Sequence, residues 1–412
     1  MARIYLIDVT NRDGVQTAKL GLSKLEKTLI NIYLNDMGVF QSEFGFPTTR
    51  HESRYLRANL ELAEMGVLKP IRLEGWIRAI VADVEIAFKL VPGTRHLNLS
   101  ISTSDQMING KFRGKKTKQD IIADMTEAVD AAWAHGAESV AVNAEDASRS
   151  ELDYLIKFGL AAKEHGASRL RYCDTLGYDN PFTIYETAKA LAEKVGIAIE
   201  IHCHGDLGMA VANSIAGAKG VIDGGQDVYI NTTVNGIGER AGNADLVATI
   251  LAITKSKGFA EKYLLAGSVD LSKAWKIAKF ASYAFDVEIP INQPGVGANA
   301  FAHESGIHAD GVLKDPENYE LYGFKELGRG EPEKVETGRE ISAGEYSGIS
   351  GFSHVMGQMA VHFESKEEAN QILELVRFAN VEAHKPLVED ELLFIARYPA
   401  IAKELLTLSP LE

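Results

Sequence analysis

The chain has 412 residues, 46% hydrophobic and 24% charged, with 57 acids against 43 bases and a net charge of −14. That balance is globular and, lacking a long basic run, argues against a nucleic-acid or anionic-membrane surface, leaving room for a local basic pocket that takes an anionic ligand. Two cysteines, Cys173 and Cys203, exclude a disulfide scaffold; the N-terminus reads as a strand rather than a leader and no apolar run reaches spanning length, so a soluble protein of the reducing cytoplasm is expected.

Residues 1–256 alternate short β-like runs with amphipathic stretches. Strands are predicted at 3–9, 39–46, 71–79, 96–103, 139–144, 169–174, 197–204 and 227–234. Helical periodicity lies between them, as at 23–37, 118–135, 182–195 and 209–223. Eight strands alternating with eight helices in roughly 250 residues is the rhythm of a (β/α)8 TIM barrel, an α/β fold. A doubly wound open sheet is the alternative, but no Gly-x-Gly-x-x-Gly follows the first strand. A linker and lid segment is expected at 257–329, with a helix at 271–285, a Pro/Gly-rich connector at 290–297, and His303 and His308 within 298–311. Residues 330–412 read as a small helical C-terminal domain, clearest at 366–379 and 389–407.

Barrel active sites lie at the carboxyl ends of the strands, and polar residues cluster there. They are Asp8 to Gln16 after the first strand, Glu43 in the second, Glu145, Asp146 and Arg149 after the fifth, Asp174 and Thr175 after the sixth, and the turn at 235–243 after the eighth. The most telling set, His202-Cys203-His204, closes the seventh. Strand side chains alternate faces, so both imidazoles point the same way. Two converging imidazoles are half of a metal site; one packed and one solvated histidine is the plainer alternative. Asp13 can supply a hard anionic oxygen and Arg12 can pair with a developing oxyanion, where the plainer alternative is an Asp-Gly turn beside a surface arginine. Asn243 offers an amide oxygen, or else caps a helix at 244–254. Asp13, His202, His204 and Asn243 together make a mixed N/O site for one divalent ion, with room left for substrate. Gly236, Gly238 and Gly242 form a turn whose N–H groups can meet a phosphate or carboxylate. Lys111, Arg113, Lys115 and Lys116 form a basic loop, either solvated or facing nucleotide phosphates.

Asp8-Val-Thr-Asn-Arg-Asp-Gly-Val-Gln16 resembles the first-strand signature of the DRE-type TIM-barrel metalloenzymes. His202-Cys-His204-Gly-Asp-Leu-Gly with Ala212-Asn213, and Gly236-Ile-Gly-Glu-Arg-Ala-Gly-Asn243, resemble the second and third. With Gly306-Ile-His308 they are similar to the isopropylmalate synthase and homocitrate synthase family over roughly residues 1–350. The resemblance implies a Claisen condensation of acetyl-CoA with a 2-oxo acid, with Mn, Mg, Co or Zn as the ion. It implies Asp13, His202, His204 and Asn243 as ligands, Arg12 on the oxygen of the reacting carbonyl, and Thr175 on a substrate carboxylate. Gln16 and Arg78 are further substrate-binding positions; Gly236, Gly238 and Gly242 are assigned to the cofactor. His308 and Tyr319 match a catalytic histidine and tyrosine, with His308 as base and Glu145 assisting. In relatives that segment reaches the partner's active site, so a homodimer with exchanged lids is implied. Two departures stand out: Gly205 replaces an Asn, and Gly344-Glu345-Tyr346-Ser347-Gly348 replaces a basic lid motif. The chain is also expected to lack the regulatory domain that confers leucine feedback.

Glu145-Asp-Ala-Ser-Arg149 resembles the homocitrate synthase stretch in which an arginine receives the distal carboxylate of 2-oxoglutarate. A guanidinium fork suits a dicarboxylate and would be an unpaired buried charge against a branched alkyl group; the alternative is a residue at a helix start, where basic groups suit poorly. Within the family the chain looks most similar to members acting on oxaloacetate, the Re-face citrate synthases, with homocitrate synthases next and isopropylmalate or citramalate synthases further off. A hydroxymethylglutaryl-CoA-type lyase would place a cysteine in the lid. A biotin-dependent carboxyltransferase would want a lysine where Val142-Asn143-Ala144 stands. A non-catalytic sensor would not need Arg12, His308 and Tyr319.

Overall fold

The structure, a computed structural model, describes residues 2–259, 263–332 and 341–407, so part of the expected 330–412 domain lies outside the described residues. Eight parallel strands form the barrel: β1 (Arg3–Asp8), β2 (Gln41–Gly45), β3 (Arg72–Arg78), β4 (His96–Ser102), β5 (Ser139–Glu145), β6 (Arg169–Asp174), β7 (Ala198–Cys203) and β8 (Val228–Thr232). Neighbours pair in chain order, and β1 closes the ring by pairing both β8 (Ile4↔Val228) and β2 (Ile7↔Gln41). A two-residue strand, β9 (Leu264–Leu265), adds to the start of β1 beyond the eight expected.

The outer helices are α1 (Lys24–Met37), α2 (Arg50–Glu64), α3 (Val81–Leu90), α4 (Asp105–Lys111), α5 (Lys118–Ala134), α6 (Leu152–Glu164), α7 (Pro181–Val195), α8 (Ala210–Asp223) and α9 (Leu246–Lys255). Local chemistry sets their ends. Ser23 and Glu26 form a capping box at α1, and Gly38 ends it in the left-handed conformation. At α7, Asn180 caps, Pro181 fills the first turn and Gly196 terminates. Helix α9 starts at Leu246 with Asp245 as its cap, which removes the capping role considered for Asn243.

Beyond the barrel come α10 (Ala274–Phe285), α11 (Gly306–Lys314), α12 (Ile349–Gln358), α13 (Lys366–Ala383), α14 (Glu389–Arg397) and α15 (Pro399–Leu406). The single helix expected at 389–407 is two, because Pro399 lacks an N–H and pushes Tyr398 out of the helical region. Helices α14 and α15 pack on α1 and α2, with Tyr33 Oη donating to Asp390 at 2.5 Å and Lys385 paired to Glu26 at 2.8 Å. Helix α11 has no buried residue. Among the described residues no helix is long and apolar enough to cross a membrane.

TIM-barrel interiors are commonly filled by branched apolar side chains; this one carries charge. Arg171, without solvent exposure, donates from Nε to Glu200 at 2.5 Å and from Nη2 to Glu43 at 2.5 Å. Arg169 donates to Glu200 at 2.6 Å and to Glu74 at 2.5 Å. Arg12 donates from Nε to Glu43 at 2.7 Å, so three arginines face three glutamates. Burial alone would raise Glu43 and Glu200, but the guanidiniums overcome it and hold both below the ordinary range. Charges this far from water persist only because each is paired.

Candidate metal centre and active site

Cys173 is in register with His202 across β6 and β7, which sets the two imidazoles at the barrel's carboxyl end. Asp13 reaches them from the turn after β1, where its N–H bonds Val9 O at 2.7 Å. Asp13, His202 and His204 are buried, and one ligand atom from each gathers at a single point. His202 Nε2 lies 3.2 Å from His204 Nε2 and 3.2 Å from Asp13 Oδ2; His204 Nε2 lies 3.6 Å from that oxygen. Ligand atoms about 2.1 Å from a shared ion, at angles of about 90–120°, lie about 3.0–3.6 Å apart, so the triangle fits one divalent cation. Burial holds the His204 imidazolium unstable, with a pKa of about 4, leaving the neutral ring a metal takes. Burial would raise Asp13, but Arg12 and the two imidazoles keep it well below the carboxylate range.

The turn after β8 folds back on the end of β7 to bring Asn243 to the same place. Gly205 N–H bonds Gly242 O at 2.9 Å, and His204 bridges Asn243. A Cβ at Gly205 would lie 3.1 Å from Ala241 O, a tight approach that glycine avoids. Asn243 donates from Nδ2 to Asp13 Oδ2 at 2.8 Å, so in this arrangement it orients the aspartate instead of presenting its oxygen. Its buried Oδ1 has no hydrogen-bond partner. Gly236 and Gly242 were expected to offer N–H groups to an anion; those groups bond Thr233 O and Glu239 O. Their positive φ and the missing Cβ at Gly242, which would stand 2.1 Å from Gly236 O, instead let the turn close on itself. A Cβ at Gly238 would strike Asn243 Oδ1.

Around this centre Arg12 is pinned by Glu43 and sits 3.7 Å from Asp13 and 5.6 Å from the Trp76 ring centroid. Glu145 accepts from Ser102 Oγ and is paired with Lys111 at 2.7 Å, so the first cation of the basic loop faces a carboxylate. Lys116 pairs with Asp124. Arg149 turns onto buried Asp146, with Nη2 at 2.6 Å and Nε at 3.0 Å. Thr175 Oγ1 accepts from Asp146 N–H at 2.9 Å, which leaves its own proton to be donated. Gln16 is exposed, and Arg78 forks onto Asp83 at 2.7 and 2.8 Å with its side chain mostly in solvent. His308 and Tyr319 lie ring against ring, tilted by 30° with centroids 4.2 Å apart, on exposed α11 and the turn after it.

Four positions escaped the sequence reading. Glu200, Arg169 and Arg171 lie in runs that read as plain buried strands, although the i, i+2 spacing in Arg169-x-Arg171 and Glu200-x-His202-x-His204 placed them on the inner face. Arg240, in the left-handed region, ties three loops of the mouth together through Asp206 at 2.9 Å and Thr175 O at 2.5 Å.

Residues 3–281 match the HMGL-like family, and residues 296–383 match the homocitrate synthase post-HMGL domain-like family. The chain is 77% identical, over all of its length and 99% of the relative's, to Citrate (Re)-synthase of Dehalococcoides mccartyi. It is 38% identical to 2-isopropylmalate synthase 2 of Caldanaerobacter subterraneus, over 95% of this chain and 94% of that one. Among solved structures, the Bacillus subtilis HMG-CoA lyase superposes with a TM-score of 0.56 at 18% identity, covering 70% of this chain and 96% of the lyase, a likeness of fold. With three ordered motifs meeting at one barrel mouth, the chain belongs to the HMGL-like family, within the isopropylmalate and homocitrate synthase group of DRE-TIM metalloenzymes.

Proposed function

We propose that this protein is a C-acetyltransferase that joins acetyl-CoA to oxaloacetate, giving citrate and free CoA. The observation that carries the reading is 77% identity across the whole chain to Citrate (Re)-synthase, on a mouth where Asp13, His202 and His204 fit a divalent cation. A cation held there supplies Lewis acidity toward the ketone of a 2-oxo acid.

The chain's own groups do the rest. Arg12, fixed by Glu43 beside Asp13, puts a guanidinium where the ketone oxygen becomes an alkoxide. Thr175 donates its free proton to the substrate's near carboxylate. Arg149 exchanges Asp146 for the distal carboxylate, a fork suited to two oxygens. His308, beside Tyr319, takes a proton from the acetyl methyl; the electron pair left behind forms the bond to the ketone carbon, and the ketone oxygen gains a proton. Glu145 assists at the mouth. Water then cleaves the thioester and the sulfur leaves as CoA.

His308 and Tyr319 need a barrel mouth to act on, and α11 carries no buried residue. Ile307 and Leu313 on it are 76% and 87% exposed, while Tyr178 and Leu207, on the loops after β6 and β7, and Phe182, in the first turn of α7, stand exposed. Two apolar surfaces of this kind favour a homodimer with exchanged lids, in which 1–256 is the catalytic unit, 257–329 the lid and 330–412 a helical cover.

Homocitrate formation from 2-oxoglutarate is the second reading, favoured by the match of residues 296–383. One methylene separates the substrates, about 1–3 kcal/mol of discrimination. The test is thiol release by purified protein from acetyl-CoA with oxaloacetate, 2-oxoglutarate or 2-oxoisovalerate, each with Mn, Mg, Co or Zn. Oxaloacetate is expected to dominate; preference for 2-oxoisovalerate sinks the reading.

A further inference from the structure

A neutral imidazole carries one proton, on either nitrogen, and only the bare nitrogen can take a metal. In water the ring favours the proton on Nε2, and Asp13 Oδ2, an acceptor 3.2 Å from that atom, favours it there too, so Nε2 is bared for a cation only by a stronger pull on the proton at Nδ1. His202 Nδ1 lies 2.9 Å from Asn231 Oδ1. The same amide donates from Nδ2 to Glu200 Oε1 at 2.7 Å. A carboxylate only accepts, so the amide nitrogen must face Glu200 and its oxygen must face the ring. Glu200 cannot swing away, because Arg169 holds one of its oxygens and Arg171 the other. Asn231 and Glu200 are both buried, on β8 and β7.

We infer that Glu200 and Asn231 form a latch that fixes His202 with its proton on Nδ1 and its bare Nε2 in the cation site. Asn231 is a positioning residue: it touches neither the cation nor the substrate and acts through the ring. The latch is one-sided, since His204 Nδ1 is buried without a hydrogen-bond partner. His204 is held only from the cation side, its Nε2 lying 3.2 Å from His202 Nε2, while His202 is also held from behind. Outer hydrogen bonds of this kind contribute about 10- to 100-fold in metal affinity.

The inference rests on the cation site proposed above, and the test separates the two. Metal-free protein labelled with 15N-histidine reads the tautomer directly from long-range 1H–15N correlations, with the His202 signals assigned by their loss in H202Q. Wild type is expected to carry the His202 proton on Nδ1, and Asn231→Leu to lose that preference. Titration with Co(II) or Mn(II) against a chelator should show Asn231→Leu weakened about 10- to 100-fold. Asn231→Asp alone would set a second carboxylate against Glu200, so the conservative variant is Asn231→Asp with Glu200→Gln, in which the glutamine amide donates back across the same contact and the aspartate keeps an acceptor on the ring; it should stay much closer to wild type. If the leucine variant fails to fold, Asn231→Ser, too short to reach the ring, should show the same loss. A wild-type proton on Nε2, or unaltered metal affinity in the leucine and serine variants, overturns the latch. Failure of wild type to bind either metal overturns the cation site itself, with the tautomer still read independently.

Discussion

Replacing Arg171 by methionine removes the centre of the charge ladder that runs up the barrel to the metal site. Methionine is unbranched but shorter and has no N–H, so both bonds are lost, to Glu200 at 2.5 Å and to Glu43 at 2.5 Å. Three buried arginines against three buried glutamates become two against three, in a place where Arg171 and all three glutamates have no solvent exposure and where burial already pushes Glu74 up to about 7. Breaking a buried pair from one side costs about 3–5 kcal/mol, because the stranded carboxylate keeps its desolvation penalty. Urea unfolding at pH 7 should show that loss. Glu200, whose ordinary value is 4.5, is held below it by Arg171 and Arg169 against burial. An acid with a depressed folded pKa stabilises above its unfolded value and loses that contribution as pH falls. The gap between wild type and R171M should therefore narrow below about pH 4.5. The double variant R171M/E200Q restores two against two and should lie above the sum of the single effects by about 0.5–3 kcal/mol. An R171M protein within about 1 kcal/mol of wild type at pH 7 would refute the reasoning, since surface pairs are worth no more than that.

Asp8, buried beside Asp245 and Glu43, is pushed from 3.8 up to about 7 by burial, against the bonds from Thr10. A carboxyl raised on folding stabilises fully below its unfolded pKa and loses this as pH rises through the folded value, so Asp8→Asn should gain on wild type by up to about 4 kcal/mol by pH 8 and nothing at pH 3 in thermal unfolding. Mixing inactive D13N with inactive H308A subunits should restore about a quarter of wild-type turnover, one rebuilt site in half of the dimers, if the lid acts on its partner; no recovery after subunit exchange places His308 in its own barrel. Arg149→Gln should raise KM for oxaloacetate about 10- to 100-fold, the worth of a charged hydrogen bond, with little change for pyruvate in steady-state thiol assays; an equal effect on both substrates assigns Arg149 to Asp146 alone.

The barrel was legible because its strands alternate with capped amphipathic helices, each marked by local chemistry such as Ser23 with Glu26 or Asn180 with Pro181. The metal centre was legible for a related reason: the i, i+2 spacing of His202 and His204 obliges them to share a face. Arg149 and the glycine turn were read as groups free for ligands. Their partners within the chain, Asp146 for Arg149 and carbonyls of the turn for the Gly236 and Gly242 N–H groups, follow from left-handed residues that bend the chain locally, Asp146 and Gly242 among them; the Arg149–Asp146 pair is the one a substrate carboxylate would replace.

What the amino-acid order settled alone is therefore the set of elements, the side each inner residue takes and the donor atoms available to a cation. Pairing across the ring was decided only on closure of the barrel. Arg171 on β6 meets Glu43 on β2 across the barrel interior, and Asn231 on β8 meets Glu200 and His202 on the neighbouring β7, groups 128 and about 30 residues apart in the chain. Buried charges and polar groups must find partners wherever the fold delivers them, and no local pattern in the sequence carries that choice.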